Sequence, residues 1–112
     1  MARTVVLDTS FLRYALMCNI RIEEAIRAVI GDAAFAVPQG IGHEINDPVL
    51  EHLIKGWRQF AHDQHHIDDA IVAFAQEHQC AVATMDKELQ QRIRNIPRKL
   101  VIIRQKNYVE LK

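Results

Sequence analysis

The stretch that decides the fold is HHIDDAIVAFAQEHQCAVATMD, residues 65–86. Two adjacent carboxylates, Asp68 and Asp69, open a short helix whose apolar residues recur at amphipathic spacing. The apolar run from Cys80 to Thr84 then predicts a strand, and the stretch ends at Asp86. One helix–strand unit therefore carries acidic side chains at both of its ends.

The remainder of the chain alternates in the same way between short apolar strands and helices. At 112 residues it has the size of one domain, which we expect to span residues 1–112. Strands that alternate with helices predict a parallel α/β sandwich with right-handed crossovers. The other strands are expected at Thr4–Leu7, Ala34–Val37 and Leu100–Ile103, with a short terminal pairing at Tyr108–Glu110; the other helices are expected at Thr9–Met17, Arg21–Ile30, Gln39–Ile45, from Pro48 to about Phe60–Ala61, and after Asp86.

The composition excludes several classes of protein. Hydrophobic residues make up 49% and charged residues 25%, which are ordinary values for a globular fold. No apolar run approaches the roughly 20 residues of a membrane span, and the N-terminus reaches Asp8 too soon for a secretory signal. Cys18 and Cys80 lack metal-like spacing and are interpreted as reduced thiols. We therefore expect a cytoplasmic protein that does not associate with membranes.

The formal net charge of zero conceals an uneven distribution. Residues 86–112 contain eight basic and three acidic residues, whereas residues 43–77 contain seven acidic and two basic ones. An acidic centre beside a basic tail suits a metal site flanked by a phosphate-binding surface. The alternative is an ordinary solvated face. The basic residues expected to contact nucleic acid are Arg92, Arg94, Arg98 and Lys99.

Two further acids precede the opening stretch. Asp8 follows the first apolar strand, at the end where open α/β sheets bind ligands, although aspartate there also suits the N-cap of the next helix. Glu44, taken alone, has the pattern of a surface glutamate. If both converge with Asp69 and Asp86, four like charges require a cation. Hard oxygen ligands favour Mg²⁺ or Mn²⁺.

A cluster of histidines raises the alternative of zinc. His62, His65 and His66 lie close together in the sequence, but their spacing lacks the paired Cys/His pattern of structural zinc sites, and no later residues complete it. We interpret the cluster as a loop at the rim of the acidic site.

Four motifs resemble those of the PIN-domain ribonuclease family, and together they cover nearly the whole chain. They are VVLDTSFL with Asp8, HEI with Glu44, DDAIVAFA with Asp69, and ATMDKEL with Thr84 and Asp86. The resemblance is closest to the ribosome-processing branch found in the small-subunit processome and in its archaeal relatives. The DD doublet, the run ATMDKELQQRIRNIP and the terminal Tyr108 carry this closer resemblance.

The resemblance implies a three-layer α/β/α sandwich around a central parallel sheet. It also implies a metal-dependent endonuclease that hydrolyses phosphodiester bonds of single-stranded RNA, with an rRNA precursor as the expected substrate. Asp8, Glu44, Asp69 and Asp86 would hold Mg²⁺ or Mn²⁺, and Thr84, with Thr9 or Ser10, would orient these carboxylates. Asp68 is the rival of Asp69: the family pattern favours Asp69, and Asp68 would then cap the helix or contact water.

One departure from the family pattern is evident. Only 25 positions separate Glu44 from Asp69, so the domain is shortened between the second and third acidic motifs. The expectation is that one structural layer is missing or is supplied by a partner. A homodimer would cover the exposed core, with Trp57 and Phe60 as the candidate contact residues.

Other functions compete with the RNA endonuclease. Haloacid-dehalogenase phosphatases need a second aspartate where this chain has Ser10, and receiver domains need a paired upstream acid and a late lysine that are not evident. A catalytically weak PIN module acting in RNA binding or assembly is the alternative from another class. A toxin of a toxin–antitoxin pair would use the same chemistry.

Overall fold

The computed structural model describes residues 3–63, 66–94 and 100–112. In these parts of the chain six strands form one sheet in the order β3-β2-β1-β4-β5-β6. All neighbouring strands are parallel except β5 and β6, which form an antiparallel pair at one edge. The strands are β1 (Arg3–Leu7), β2 (Ala33–Pro38), β3 (Arg58–Phe60), β4 (Ala81–Ala83), β5 (Leu100–Arg104) and β6 (Tyr108–Leu111).

Helices cover both faces of the sheet. They are α1 (Thr9–Met17), α2 (Ile22–Ile30), α3 (Ile41–Ile45), α4 (Pro48–Ile54), α5 (Ile67–His78) and α6 (Lys87–Ile93). Successive side chains of a strand face opposite sides of the sheet, and the two cores follow this rule. Val5 and Leu7 pack with the buried residues of α1 to α4, whereas Val6 packs with those of α5 and α6. The expected three-layer α/β/α sandwich is therefore confirmed.

The two central strands place the functional edge of the sheet. β1 pairs with β4 so that Leu7 lies opposite Ala83, and the backbone N–H of Asp8 donates to the carbonyl of Ala83 at 3.0 Å. Asp8 and Thr84 therefore leave the sheet side by side at its carboxyl edge, where parallel α/β sheets bind their ligands.

The expected long helix ending at Phe60–Ala61 is wrong. Helix α4 ends at Ile54, a turn follows in which Gly56 and Trp57 donate to the carbonyls of Leu53 and Ile54, and β3 then pairs with β2. The region between Glu44 and Asp69 thus contains both a helix and an edge strand, and its shortness removes no layer.

Trp57 and Phe60 are not exposed contacts for a dimer, contrary to the expectation. The Trp57 ring lies 5.5 Å from that of Phe35, and its Nε1 donates to the carboxylate of Glu23 at 2.9 Å. Phe60 is buried and stacks on Phe74 at 4.3 Å. Both rings are buried within the protomer, Trp57 in one core and Phe60 in the other.

Helix α4 is rotated from the orientation that its apolar residues suggest. Leu50 and Ile54 are buried, but the apolar Val49 beside Leu50 is 65% exposed. None of the helices in the described ranges combines the length and apolar character that crossing a bilayer requires.

Candidate active site

A network of hydroxyls fixes Asp8 at the carboxyl edge of the sheet. Asp8 is only 7% exposed, and its Oδ2 accepts hydrogen bonds from Ser10 Oγ at 2.6 Å and from Thr84 Oγ1 at 2.8 Å. Asp8 occupies the N-cap position of α1, yet its carboxylate caps no helical N–H. The side chain is therefore held for a purpose other than starting the helix.

The same hydroxyls tie the two ends of the site together. Ser10 Oγ accepts from the backbone N–H of Met85 at 3.0 Å, and the fully buried Thr84 Oγ1 accepts from that of Asp86 at 3.1 Å. Each hydroxyl thus donates to Asp8 and accepts from the segment that leads into α6. The sequence motifs VVLDTS and ATMD form one hydrogen-bonded unit.

Asp86 is the N-cap of α6, and hydrogen bonds to the backbone of that helix fix its side chain. Its Oδ1 accepts from the backbone N–H of Glu88 at 2.9 Å and, more weakly, from that of Leu89 at 3.4 Å. Gln90, one turn further along, donates to the carbonyl of Thr84 at 3.1 Å. Gln90 was missed in the sequence, although it lies four residues after Asp86 on the same side of the helix.

The structure separates the two members of the DD doublet. Burial, and then the negative charges of Asp8 and Asp86, raise the pKa of the Asp68 carboxyl, while the Arg92 cation opposes the shift. Asp69 lies on the outside with its side chain 63% exposed, and its Oδ1 is 2.8 Å from Arg92 Nη1. Asp68 is therefore the partly buried member, whose carboxyl is affected by the charges of Asp8 and Asp86, and Asp69 is the exposed member that pairs with a base.

The sequence contains a helical pattern that favours Asp68 over Asp69. Asp68 precedes Ile71, Val72 and Ala75 by three, four and seven residues, so it continues the buried stripe of α5. The corresponding positions after Asp69 include the exposed Ala73 and Gln76. Helical spacing points to Asp68, whereas the family pattern favoured Asp69.

Glu44 lies apart from the other acids. It is on α3 with its side chain 49% exposed, and Arg13 contacts it twice, at 3.9 Å from Oε1 and at 3.4 Å from the carbonyl. Glu44 faces a cavity of about 290 Å³ that also reaches Thr9, next to Asp8, and Ile67, next to Asp68. Arg13 had no role in the sequence expectations.

The donor set fits a hard divalent cation, although no formed metal site is seen. Among the described residues, no three His, Cys, Asp or Glu side chains are grouped as metal ligands. Burial raises the pKa of the Asp68 carboxyl, and the nearby negative charges of Asp8 and Asp86 raise it further, as expected where acids gather without a cation. Carboxylate oxygens with neighbouring hydroxyls, and no thiolate, are the donors that Mg²⁺ or Mn²⁺ prefers.

The structure describes only some of the histidines and basic residues singled out from the sequence. His62 Nε2 is 2.6 Å from the carbonyl of Gln39, and His66 Nδ1 is 3.7 Å from Asp69; His65 lies outside the described residues. Arg94 is exposed at the end of α6, and the expected RNA contacts Arg98 and Lys99 also lie outside the described residues.

Comparisons with known proteins agree with this architecture. A family model described as a PIN like domain matches residues 5–106. Among solved structures, that of the PIN domain endonuclease Utp24 superposes with a TM-score of 0.78 at 23% sequence identity, covering 97% of this chain and 90% of that chain. At that identity the likeness concerns the fold. A comparison with curated proteins found no match. The chain belongs to the PIN-like domain family, whose members are generally nucleases.

Proposed function

We propose that the protein is a metal-dependent endoribonuclease that hydrolyses phosphodiester bonds of single-stranded RNA. The observation that carries this proposal is the hydroxyl network of Ser10 and Thr84, which holds a buried carboxylate, Asp8, beside the start of α6. A buried carboxylate with fixed orientation is expensive to maintain in a fold. Its position at the carboxyl edge of a PIN-like sheet supports a catalytic role.

The proposed ligands are Asp8, Asp68 and Asp86, with Glu44 approaching from across the cavity. Asp68 takes the place expected for Asp69, because Asp68 is partly buried and the charges of Asp8 and Asp86 act on its carboxyl, whereas the Asp69 carboxylate is exposed and pairs with Arg92. When bound, Mg²⁺ or Mn²⁺ would supply Lewis-acid chemistry for attack by water and would neutralise charge on the phosphodiester.

The chain's own residues prepare this chemistry. Ser10 and Thr84 hold Asp8 in one orientation, and the cap hydrogen bonds hold Asp86 in another, so two carboxylates need no rearrangement. Arg92, which pairs with Asp69, offers a cation to an RNA phosphate. Cleavage is expected to leave a 5′ phosphate and a 3′ hydroxyl.

A role in rRNA processing is the proposed biological context. It is supported by the motifs shared with the ribosome-processing branch and by the fold likeness to the PIN domain endonuclease Utp24. The toxin of a toxin–antitoxin pair remains the alternative with the same chemistry, and an antitoxin gene beside this one would favour it.

A catalytically weak PIN module for RNA binding or assembly is the second candidate function. The observation that favours it is Glu44, which pairs with Arg13 and does not join the other acids. Cleavage of RNA by the purified protein decides between the two.

The first prediction concerns the ligands. We expect Asp8→Asn and Asp68→Asn to abolish the rise in melting temperature caused by Mn²⁺ and to reduce cleavage of labelled single-stranded RNA by more than about 100-fold, beyond the usual effect of a residue that only orients a ligand. Asp69→Asn is the matched control, one residue away, and should keep the Mn²⁺ response. The reverse result for the two aspartates would return the ligand role to Asp69. Wild-type protein that neither responds to Mn²⁺ nor cleaves RNA would contradict the nuclease proposal.

A further inference from the structure

The cavity beside the acids has a composition of its own. Its volume is about 290 Å³, at the lower end of the roughly 300–1,000 Å³ typical of small-molecule sites. Its apolar wall is formed by Pro38 at the end of β2, by the buried Ile41 and by Ile67. The remaining lining residues are polar or small: Thr9, Gln39, Gly40, Glu44 and His62. Apolar walls with a few polar groups are typical of sites for planar organic ligands.

His62 is the residue of this cavity that the nuclease chemistry leaves unexplained. Its Nε2 lies 2.6 Å from the carbonyl oxygen of Gln39, which can only accept, so Nε2 is the donor. In the neutral ring Nδ1 is then an acceptor, and this atom is buried with no hydrogen-bond partner among the described residues. Because Nδ1 is buried, His62 serves the cavity by holding the Gln39 carbonyl in place, and a ligand does not reach this atom.

The position of the cavity indicates what it would hold. Its lining includes Thr9, which follows Asp8, and Ile67, which precedes Asp68, while Glu44 forms part of the wall. A phosphate held at the acids would therefore have its own sugar and base within reach of the cavity. The Glu44 carboxylate accepts hydrogen bonds, so the group bound there should present N–H or O–H donors, as bases and ribose do.

We propose that this cavity binds one nucleoside of the RNA, next to the phosphate that is cut, with His62 as a positioning residue of its wall. The proposal rests on the proposed nuclease function for the identity of the ligand. The ring of the base would lie against Ile41 and Ile67, and a donor of the nucleoside would meet the Glu44 carboxylate.

The test uses ligands that need neither metal nor phosphate. Adenosine, cytidine, guanosine and uridine are titrated separately into the metal-free protein, and binding is followed by NMR of the isoleucine methyl groups and the histidine rings. At least one nucleoside should shift Ile41, Ile67 and His62 with a dissociation constant of about 1–10 mM, the range of a weak small ligand. His62→Ala should weaken this binding several-fold, and His62→Gln should recover part of it.

Matched variants make each outcome decisive. His52→Ala, an exposed histidine of α4 that does not line the cavity, should bind as the wild type does. Asp8→Asn should also keep nucleoside binding while losing cleavage, so the two proposals fail separately. The cavity proposal is overturned if no nucleoside shifts these signals, if the shifts fall elsewhere, or if the affinity of His62→Ala equals that of the wild type.

Discussion

At the scale of the residue, the candidate site contains a buried hydroxyl that serves two partners. Thr84 Oγ1 donates to Asp8 and accepts from the N–H of Asp86, while its side chain is completely buried. Thr84→Val keeps the shape but removes both hydrogen bonds. We expect a loss of about 10–100-fold in Mn²⁺ affinity or in kcat/KM, the usual effect of a group that orients a ligand. Thr84→Ser should retain most of the activity, and equal activity of Thr84→Val and wild type would contradict the role of the hydroxyl.

Asp68 gives a prediction for the pH dependence of stability. Its pKa is raised in the folded protein, so between the ordinary and the raised value the folded state binds more protons than the unfolded state. The contribution of Asp68 to the free energy of unfolding therefore falls as the pH rises through this interval. Without metal, Asp68→Asn should be more stable than wild type at neutral pH, with the advantage disappearing below the ordinary pKa. Urea denaturation in EDTA at both pH values measures this, and a destabilising effect at neutral pH would be contrary to it.

At the scale of the element, a helix start and a proposed metal ligand coincide at Asp86. Asp86 caps α6, and asparagine is also a good N-cap, whereas alanine is not. We expect Asp86→Ala to lower the free energy of unfolding by about 1 kcal/mol, and Asp86→Asn by only a few tenths. Both should lose Mn²⁺-dependent cleavage. The comparison by urea denaturation separates the two roles, and equal stability of the two variants would show that the cap contributes little.

The strands and helices also show how much of the fold could be predicted from the sequence. Alternating apolar strands and helices predicted the sandwich, and Asp8 and Thr84 could be placed at its carboxyl edge because β1 and β4 are strongly apolar. β3 was missed because it has only three residues, two of them exposed. Pairing with β2 and stacking of Phe60 on Phe74 stabilise it, and neither contact is evident from the local sequence. The assignment of the doublet stays a prediction: neighbours on a helix differ by about 100° in direction, and packing rather than sequence order decides which one faces the site.

At the scale of the whole molecule, the net charge of zero conceals an acidic region, residues 43–77, and a basic region, residues 86–112. Asp8 lies at the carboxyl edge of the sheet, and the half-exposed Arg92 lies 2.8 Å from Asp69. Because Asp69 holds this guanidinium, Arg92 has a defined place from which to contact a phosphate. A neutral protein can then bind RNA through local positive charge while a metal offsets the acids.

The salt dependence of RNA binding tests this division of charge. Each phosphate contact with single-stranded RNA releases counterions and contributes about 0.7 to the slope of log affinity against log salt. In an Asp8→Asn background, which prevents cleavage, Arg92→Ala and Arg94→Ala should each weaken RNA binding and reduce the slope by about that amount. Asp69→Asn should resemble Arg92→Ala, and combining the two should add little, because both act through one pair. Arg21→Ala, at the exposed start of α2 and outside the cavity beside the acids, should leave the slope unchanged. Fluorescence anisotropy at several salt concentrations gives these slopes, and an unaltered slope in Arg92→Ala would make Arg92 and Asp69 an ordinary surface ion pair.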